Sequence, residues 1–192
     1  MATSSSEINE FWQRKVKFYF NEVLDYDNDG HLNKNDVETF KELYKHMRNL
    51  KQNSPELEKF SKFLNIWIES IVEFSKTQTH SIDFDDFYKY CLHIRSQLLG
   101  KKSWPASLHY MSDYIDALFN IFDSDGDGHV SKQDFFNSYA NVDDQSTREK
   151  CWQLLWGNEN EKIDKKVFEE LCLEFLVSTN PNDKGNWIFG IF

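Results

Sequence analysis

Proline and glycine are scarce, three and seven in 192 residues, which excludes a turn-dense β fold. No apolar run approaches the ~20 residues that a membrane-spanning helix needs. The three cysteines, Cys91, Cys151 and Cys172, lie far apart with no CxxC pair, so they read as reduced thiols rather than a disulfide framework. Basic residues are outnumbered, 22 Lys and Arg against 32 Asp and Glu. The resulting net charge of −10 disfavours nucleic acid and anionic membrane as partners, since both require a basic surface. The opening residues have no basic-then-apolar secretory pattern, and Ala2 stands where myristoylation needs glycine. These absences set the expectation of a cytoplasmic protein without a membrane span.

What is abundant is aromatic: 17 Phe, 8 Tyr and 6 Trp within an apolar fraction of 40%, enough to fill a sizeable core. Apolar residues recur at helical spacing. Phe11, Trp12, Val16, Tyr19, Phe20 and Val23 form one stripe, and Val37, Phe40, Leu43, Tyr44 and Met47 a second. Ser54-Pro55 reads as an N-cap and first helical position, opening a third stripe of Leu57, Phe60, Phe63, Leu64, Ile66, Trp67, Ile71 and Phe74. A fourth helix is expected from about Asp83 to Ile94. The pattern then repeats: a helix through Tyr110–Phe122, another with Phe135, Phe136 and Tyr139, and two shorter ones near Thr147–Leu155 and Asp164–Val177. The expectation is an all-α chain of four helix–loop–helix motifs in two paired halves forming one compact globule. Residues 1–99 hold the first pair, 100–105 a linker, 106–178 the second pair, and 179–192 an apolar tail packed on the globule.

Two loops carry the chemistry. Asp25-Tyr26-Asp27-Asn28-Asp29-Gly30-His31-Leu32-Asn33-Lys34-Asn35-Asp36 and Asp123-Ser124-Asp125-Gly126-Asp127-Gly128-His129-Val130-Ser131-Lys132-Gln133-Asp134 share one pattern. Carboxylates at positions 1, 3 and 5 (Asp25, Asp27, Asp29; Asp123, Asp125, Asp127) bring hard oxygens to one point. Glycine at position 6 permits the left-handed turn that folds the loop back. Position 7 (His31, His129) is expected to offer its backbone carbonyl, and position 9 (Asn33, Ser131) a direct or water-mediated oxygen. Two carboxylates 4 Å apart repel by roughly 4 kcal/mol at an effective dielectric near 20, and no Lys or Arg lies among the ligand positions. A hard cation answers that repulsion. Position 12 is Asp in both loops (Asp36, Asp134), one methylene shorter than the usual bidentate Glu, so six-coordination and weaker discrimination against Mg²⁺ are expected.

Two further loops keep the apolar residue of position 8, Ile82 and Ile163, but not the ligands. Ser75–Asp86 has no carboxylate at positions 1, 3 or 5, and Trp156–Val167 ends in valine. Neither should bind metal. Each should instead pair with a working loop, Leu32 with Ile82 and Val130 with Ile163.

On these loops the chain resembles the EF-hand superfamily, and within it the sarcoplasmic calcium-binding proteins and calexcitins. The opening Phe11-Trp12-Gln13-Arg14-Lys15-Val16 helix and the ending Phe175-Leu176-Val177-Ser178-Thr179-Asn180 extend the likeness over nearly the whole chain. The resemblance implies two Ca²⁺ ions, with Mg²⁺ as a competitor in the same sites, in a monomeric cytosolic buffer or calexcitin-type signalling protein. Calexcitins carry three working sites, so the blank second loop is a departure.

Two alternatives stay open. Insect proteins similar to this branch are described as juvenile hormone diol kinases, which implies a phosphotransferase using ATP or GTP. Its sequence support is thin. Gly100-Lys101-Lys102-Ser103 is a fragment of a phosphate loop, and the DxxG and NKxD strings, Asp27–Gly30 and Asn33–Asp36, both lie inside the first acidic loop. Related photoproteins hold a luciferin in their core, which implies a binder of a small apolar ligand. His46, His80, His93 and His109 show no metal-ligand spacing.

Overall fold

The computed structural model describes residues 10–76, 80–101, 103–138, 144–157 and 162–192. Parts of the sequence reading fall outside them: the N-terminal segment, residues 77–79 and 158–161 of the second and fourth loops, Lys102, and Tyr139. Among the described residues the chain forms eight α-helices and four two-residue strands, arranged as four helix–loop–helix motifs in two pairs. The first pair comprises α1 (Glu10–Phe18), β1 (His31–Leu32), α2 (Lys34–Met47), α3 (Pro55–Ser75), β2 (Ile82–Asp83) and α4 (Phe84–Leu98). The second comprises α5 (Tyr110–Phe122), β3 (His129–Val130), α6 (Lys132–Ser138), α7 (Gln145–Leu155), β4 (Ile163–Asp164) and α8 (Lys165–Val177). No helix among the described residues is long and apolar enough to cross a membrane.

Helix starts follow local chemistry. The Ser54 hydroxyl accepts the Leu57 amide (3.3 Å), with Pro55 at the first helical position, where its missing N–H costs nothing. Asp83 and Asp164 accept the amides of Asp86 (2.9 Å) and Val167 (2.8 Å). The acids after Ile82 and Ile163 in the two ligand-poor loops are therefore helix caps. One stripe departs from regular α-helix. After α1 the chain widens into a π turn over Tyr19–Leu24, and the Asp25 amide donates five residues back to Phe20 (2.8 Å). Tyr19, Phe20 and Leu24 are all buried, and spacings of four and five are those that a wider turn aligns.

The loops pair within each half. Leu32 lies opposite Ile82 and Val130 opposite Ile163, in antiparallel register, and all four side chains are buried. Between the halves, α3 packs on α5 through stacked rings: Phe63 on Tyr114 at 5.0 Å and Trp67 on Tyr114 at 6.2 Å between centroids. Tyr19 and Tyr114 share a hydroxyl hydrogen bond inside this core.

The C-terminal residues close over α1. Phe189 sits 4.9 Å from Tyr19 and 4.8 Å from Phe175, and Trp187 stacks on Phe192 at 5.5 Å. Lys15 anchors this contact with no exposed surface: its ammonium donates to the Ser178 carbonyl (2.8 Å) and Asn186 Oδ1 (2.7 Å) over the Phe175 ring. Among the described residues, four members of the expected stripes are exposed. Leu43, Met47, Ile66 and Phe74 are 37–41% exposed. On α2 the inward positions are Val37 and Tyr44, and Leu43 and Met47 flank an open apolar groove toward Leu118 and Ile121. Helical spacing sets a stripe's width but not how much of it a neighbour covers.

Candidate metal sites

In each acidic loop the segment that leaves the incoming helix gathers three acids into one cluster. In the first loop Asp25, Asp27 and Asp29 each offer a carboxylate oxygen, all within 4.8 Å of one another; in the third, Asp123, Asp125 and Asp127 do the same. The position-1 acid is buried and the other two are exposed. Backbone amides shape the cluster. Asp25 accepts the amides of Asp29 (3.1 Å) and Gly30 (2.9 Å), and Asp123 those of Asp127 (3.1 Å) and Gly128 (3.0 Å). The position-5 carboxylates accept the next amide, Asp29 from His31 (2.8 Å) and Asp127 from His129 (2.9 Å). These bonds need the chain to double back, and Gly30 and Gly128, at φ +84° and +85°, supply the conformation.

The other expected positions have partners of their own. His31 and His129 lie on the short strands, their rings against the carbonyls of Asp29 (3.2 Å) and Asp127 (3.3 Å), which leaves backbone oxygen as their contribution. Asn33 caps α2, its Oδ1 accepting the Asn35 amide at 2.8 Å. Ser131 donates its hydroxyl to Asp134. Asp36 is buried, with its two oxygens accepting the amides of Tyr26 and Asn33, each at 2.9 Å. Burial pushes its carboxyl up, and these backbone bonds only partly offset that. Asp134 is equally buried, but Ser124 Oγ (2.6 Å) and Ser131 outweigh its burial and hold it below the usual range. Position 12 thus closes each loop onto the outgoing helix, and an oxygen that accepts an amide there keeps a lone pair, as those of Asp25 and Asp123 do.

A lysine that the spacing did not reveal meets the third loop. Lys162 donates to Asp127 Oδ2, which holds that carboxyl below its ordinary value and raises the lysine. Its signal lay in the loop pairing. With Val130 opposite Ile163, one more residue of antiparallel register sets Lys162 across from Ser131. In the first pair the corresponding residue, the one before Ile82, is Ser81.

The nucleotide-like strings resolve into loop and cap chemistry. Asp27–Gly30 and Asn33–Asp36 are held by the bonds just described. Gly100, at φ +74°, lies just beyond α4, where the Lys101 amide returns to the Leu98 carbonyl at 2.9 Å. The core contains an apolar cavity of ≈ 50 Å³ bordered by Trp12, Tyr19, Trp67, Tyr114, Cys172 and Phe175. Ligand pockets run from roughly 300 Å³ upward.

The architecture is the four-EF-hand fold. Comparison of the sequence with known protein families and with characterised proteins finds no match. Solved structures do match in fold. A sarcoplasmic calcium-binding protein from amphioxus aligns with a TM-score of 0.76 at 21% identity, over 97% of this chain and 100% of its own. Calcium-loaded apo-aequorin from Aequorea victoria aligns at 0.62 and 17% identity, over 88% and 92%. The calcium-regulated photoprotein mitrocomin from the jellyfish Mitrocoma cellularia aligns at 0.65 and 17%, over 91% and 87%.

Proposed function

We propose that this protein is a calcium buffer whose activity is the binding of one ion in each half, at Asp25–Asp36 and Asp123–Asp134. The observation that carries the reading is the pair of three-carboxylate clusters, each gathered within 4.8 Å by backbone amides. Such a donor set is hard oxygen throughout, the chemistry that calcium and magnesium select and thiophilic metals do not. Asp25, Asp27, Asp29 and Asp36 would hold the first ion together with the His31 carbonyl and Asn33, directly or through water, and Asp123, Asp125, Asp127, Asp134, the His129 carbonyl and Ser131 the second. Position 12 supports mixed Ca²⁺/Mg²⁺ occupancy. Asp36 and Asp134 are short, buried and already bonded to the loop, so a bidentate grip, which favours the larger ion, has little to draw on.

A buffer fits better than a sensor that opens onto targets. The halves join through stacked aromatic rings, and Lys15 ties the tail to α1 without exposed surface. Only three methionines are present to form a pliable groove. Calorimetry of chelator-stripped protein tests the reading. Two calcium ions should bind per chain, and millimolar Mg²⁺ should weaken the apparent affinity. A stoichiometry of zero or one removes the two-site assignment, and an affinity indifferent to Mg²⁺ removes the mixed character.

A further inference from the structure

We propose that Arg48 couples the two metal sites, so that filling the first loop tightens calcium binding in the third. The proposal rests on the calcium reading above and adds a relation between the sites that neither loop contains by itself.

The physical path is short and continuous. Helix α2 begins inside the first loop, where Asp36 in its opening turn accepts the amides of Tyr26 and Asn33. It runs about 21 Å, at 1.5 Å per residue for 14 residues, and ends on Arg48. The end is fixed. Asn49 takes a left-handed conformation (φ +50°), its amide returns to the His46 carbonyl (3.1 Å), and the Leu50 amide returns to the Lys45 carbonyl (2.9 Å). That is a complete Schellman turn, and it leaves the Arg48 backbone little freedom.

From there the Arg48 guanidinium crosses to the other half. Nη1 donates to the carbonyls of Asn120 (3.0 Å) and Asp123 (3.3 Å). Asn120 lies in the last turn of α5, whose final carbonyls have no partner within the helix. Asp123 is position 1 of the third loop, and its carboxylate accepts the two amides that gather the acid cluster. Holding the peptide after Asp123 holds the direction from which that carboxylate leaves the chain. The first loop satisfies the matching carbonyl locally, the Asn28 amide donating to Asp25 at 3.4 Å. A residue of the N-terminal half therefore finishes the third loop.

A bare cation beside a calcium site would weaken it, but Arg48 is not bare. Glu56 Oε1 lies 3.7 Å from its Nε and accepts the Tyr44 hydroxyl at 2.7 Å. With the charge offset, what Arg48 supplies to the third loop is position. With Asp36 among its ligands, an ion in the first loop draws the opening turn of α2 against the other acids, and the helix carries that order to its far end. By linkage the effect is reciprocal.

Calcium titration followed through the Gly30 and Gly128 amide resonances reads each loop separately. Four proteins are needed: the parent, Asp27→Ala, Arg48→Met, and the double variant. In the parent background Asp27→Ala should weaken calcium binding at the third loop by about 5- to 10-fold, the lower part of the usual range of coupling between sites. In the Arg48→Met background the same change should cost less than about twofold. A merely structural role for Arg48 would lower the third-loop affinity equally in both backgrounds, and that overturns the proposal. So does an unchanged third loop in Asp27→Ala. If Arg48 acted through charge alone, its removal would tighten the third loop with coupling intact, which is also an overturning result. Should Arg48→Met not fold, Arg48→Gln carries the same comparison. Absence of calcium at both loops in the parent protein fails the functional reading itself, and the coupling falls with it.

Discussion

Replacing Asp27 by Asn should move the metal-free and calcium-loaded proteins in opposite directions. The side chain keeps its Oδ1, so the Asp29 amide (3.3 Å) retains its acceptor, while one negative charge leaves the first cluster. Asp27 faces two like charges, Asp25 and Asp29, with oxygens within 4.8 Å. Asp27 and Asp29 are exposed, so bulk water rather than the protein sets the dielectric: each pair repels by about 1 kcal/mol, physiological salt roughly halves it, and the metal-free fold gains about 1 kcal/mol. For a chain of this size that raises the melting temperature by about 2–4 °C. With calcium at 100 times its dissociation constant, an occupied site stabilises the fold by about 2.7 kcal/mol. A variant that no longer fills the first loop loses that, and the relief of repulsion returns about 1 kcal/mol. The loaded variant should then melt about 3–7 °C below the loaded parent. Thermal unfolding by circular dichroism, in chelator and in saturating calcium, gives both numbers from one sample. Shifts of the same sign in both conditions would refute the reasoning, because a purely structural carboxylate cannot change sign with calcium.

Further outcomes follow from other contacts. Lys162→Met frees Asp127, so calcium affinity at the third loop should rise severalfold, most at low ionic strength, with the first loop unchanged in site-resolved titration. A Cβ on Gly185 would lie 2.3 Å from the Leu171 carbonyl and 2.7 Å from Glu174 Cβ. Gly185→Ala should therefore release the C-terminal residues, seen as faster hydrogen exchange after residue 178 and a lower melting temperature. Lys15 is held down to about 7, by burial first and then by Arg95, with Glu174 and Asp183 opposing. Its folded value lies below the unfolded 10.5, so between these limits the unfolded chain binds more protons and stability rises with pH. The parent should gain stability from pH 7 to pH 10 relative to Lys15→Met; a difference between the two that is flat with pH would contradict this assignment.

Much of the fold is local and so legible in the chain. Helical spacing, the Ser54-Pro55 start and the apolar residue at position 8 of every loop depend on neighbours within a turn or two. They foretell four helix–loop–helix motifs and the pairing of Leu32 with Ile82 and Val130 with Ile163. The acid triads are local as well: alternation at positions 1, 3 and 5 around a glycine forces three carboxylates to one point. Even Asp83 and Asp164 follow a local rule, that of the N-cap.

What the chain alone did not decide depends on residues far apart in sequence. Whether Leu43 and Met47 are covered depends on what packs against α2, and a groove lies there instead. Which groups meet the position-12 carboxylates also emerges only in the structure: the amides of Tyr26 and Asn33 for Asp36, and the hydroxyls of Ser124 and Ser131 for Asp134. Lys15 reads as a solvated helix charge until residues 163 and 171 positions later close over it. Arg48 reaches Asp123 across 75 positions, and Lys162 reaches Asp127 across 35. Periodicity and loop pattern carry only short-range information, so they place the acids but not the cations that tertiary packing brings against them.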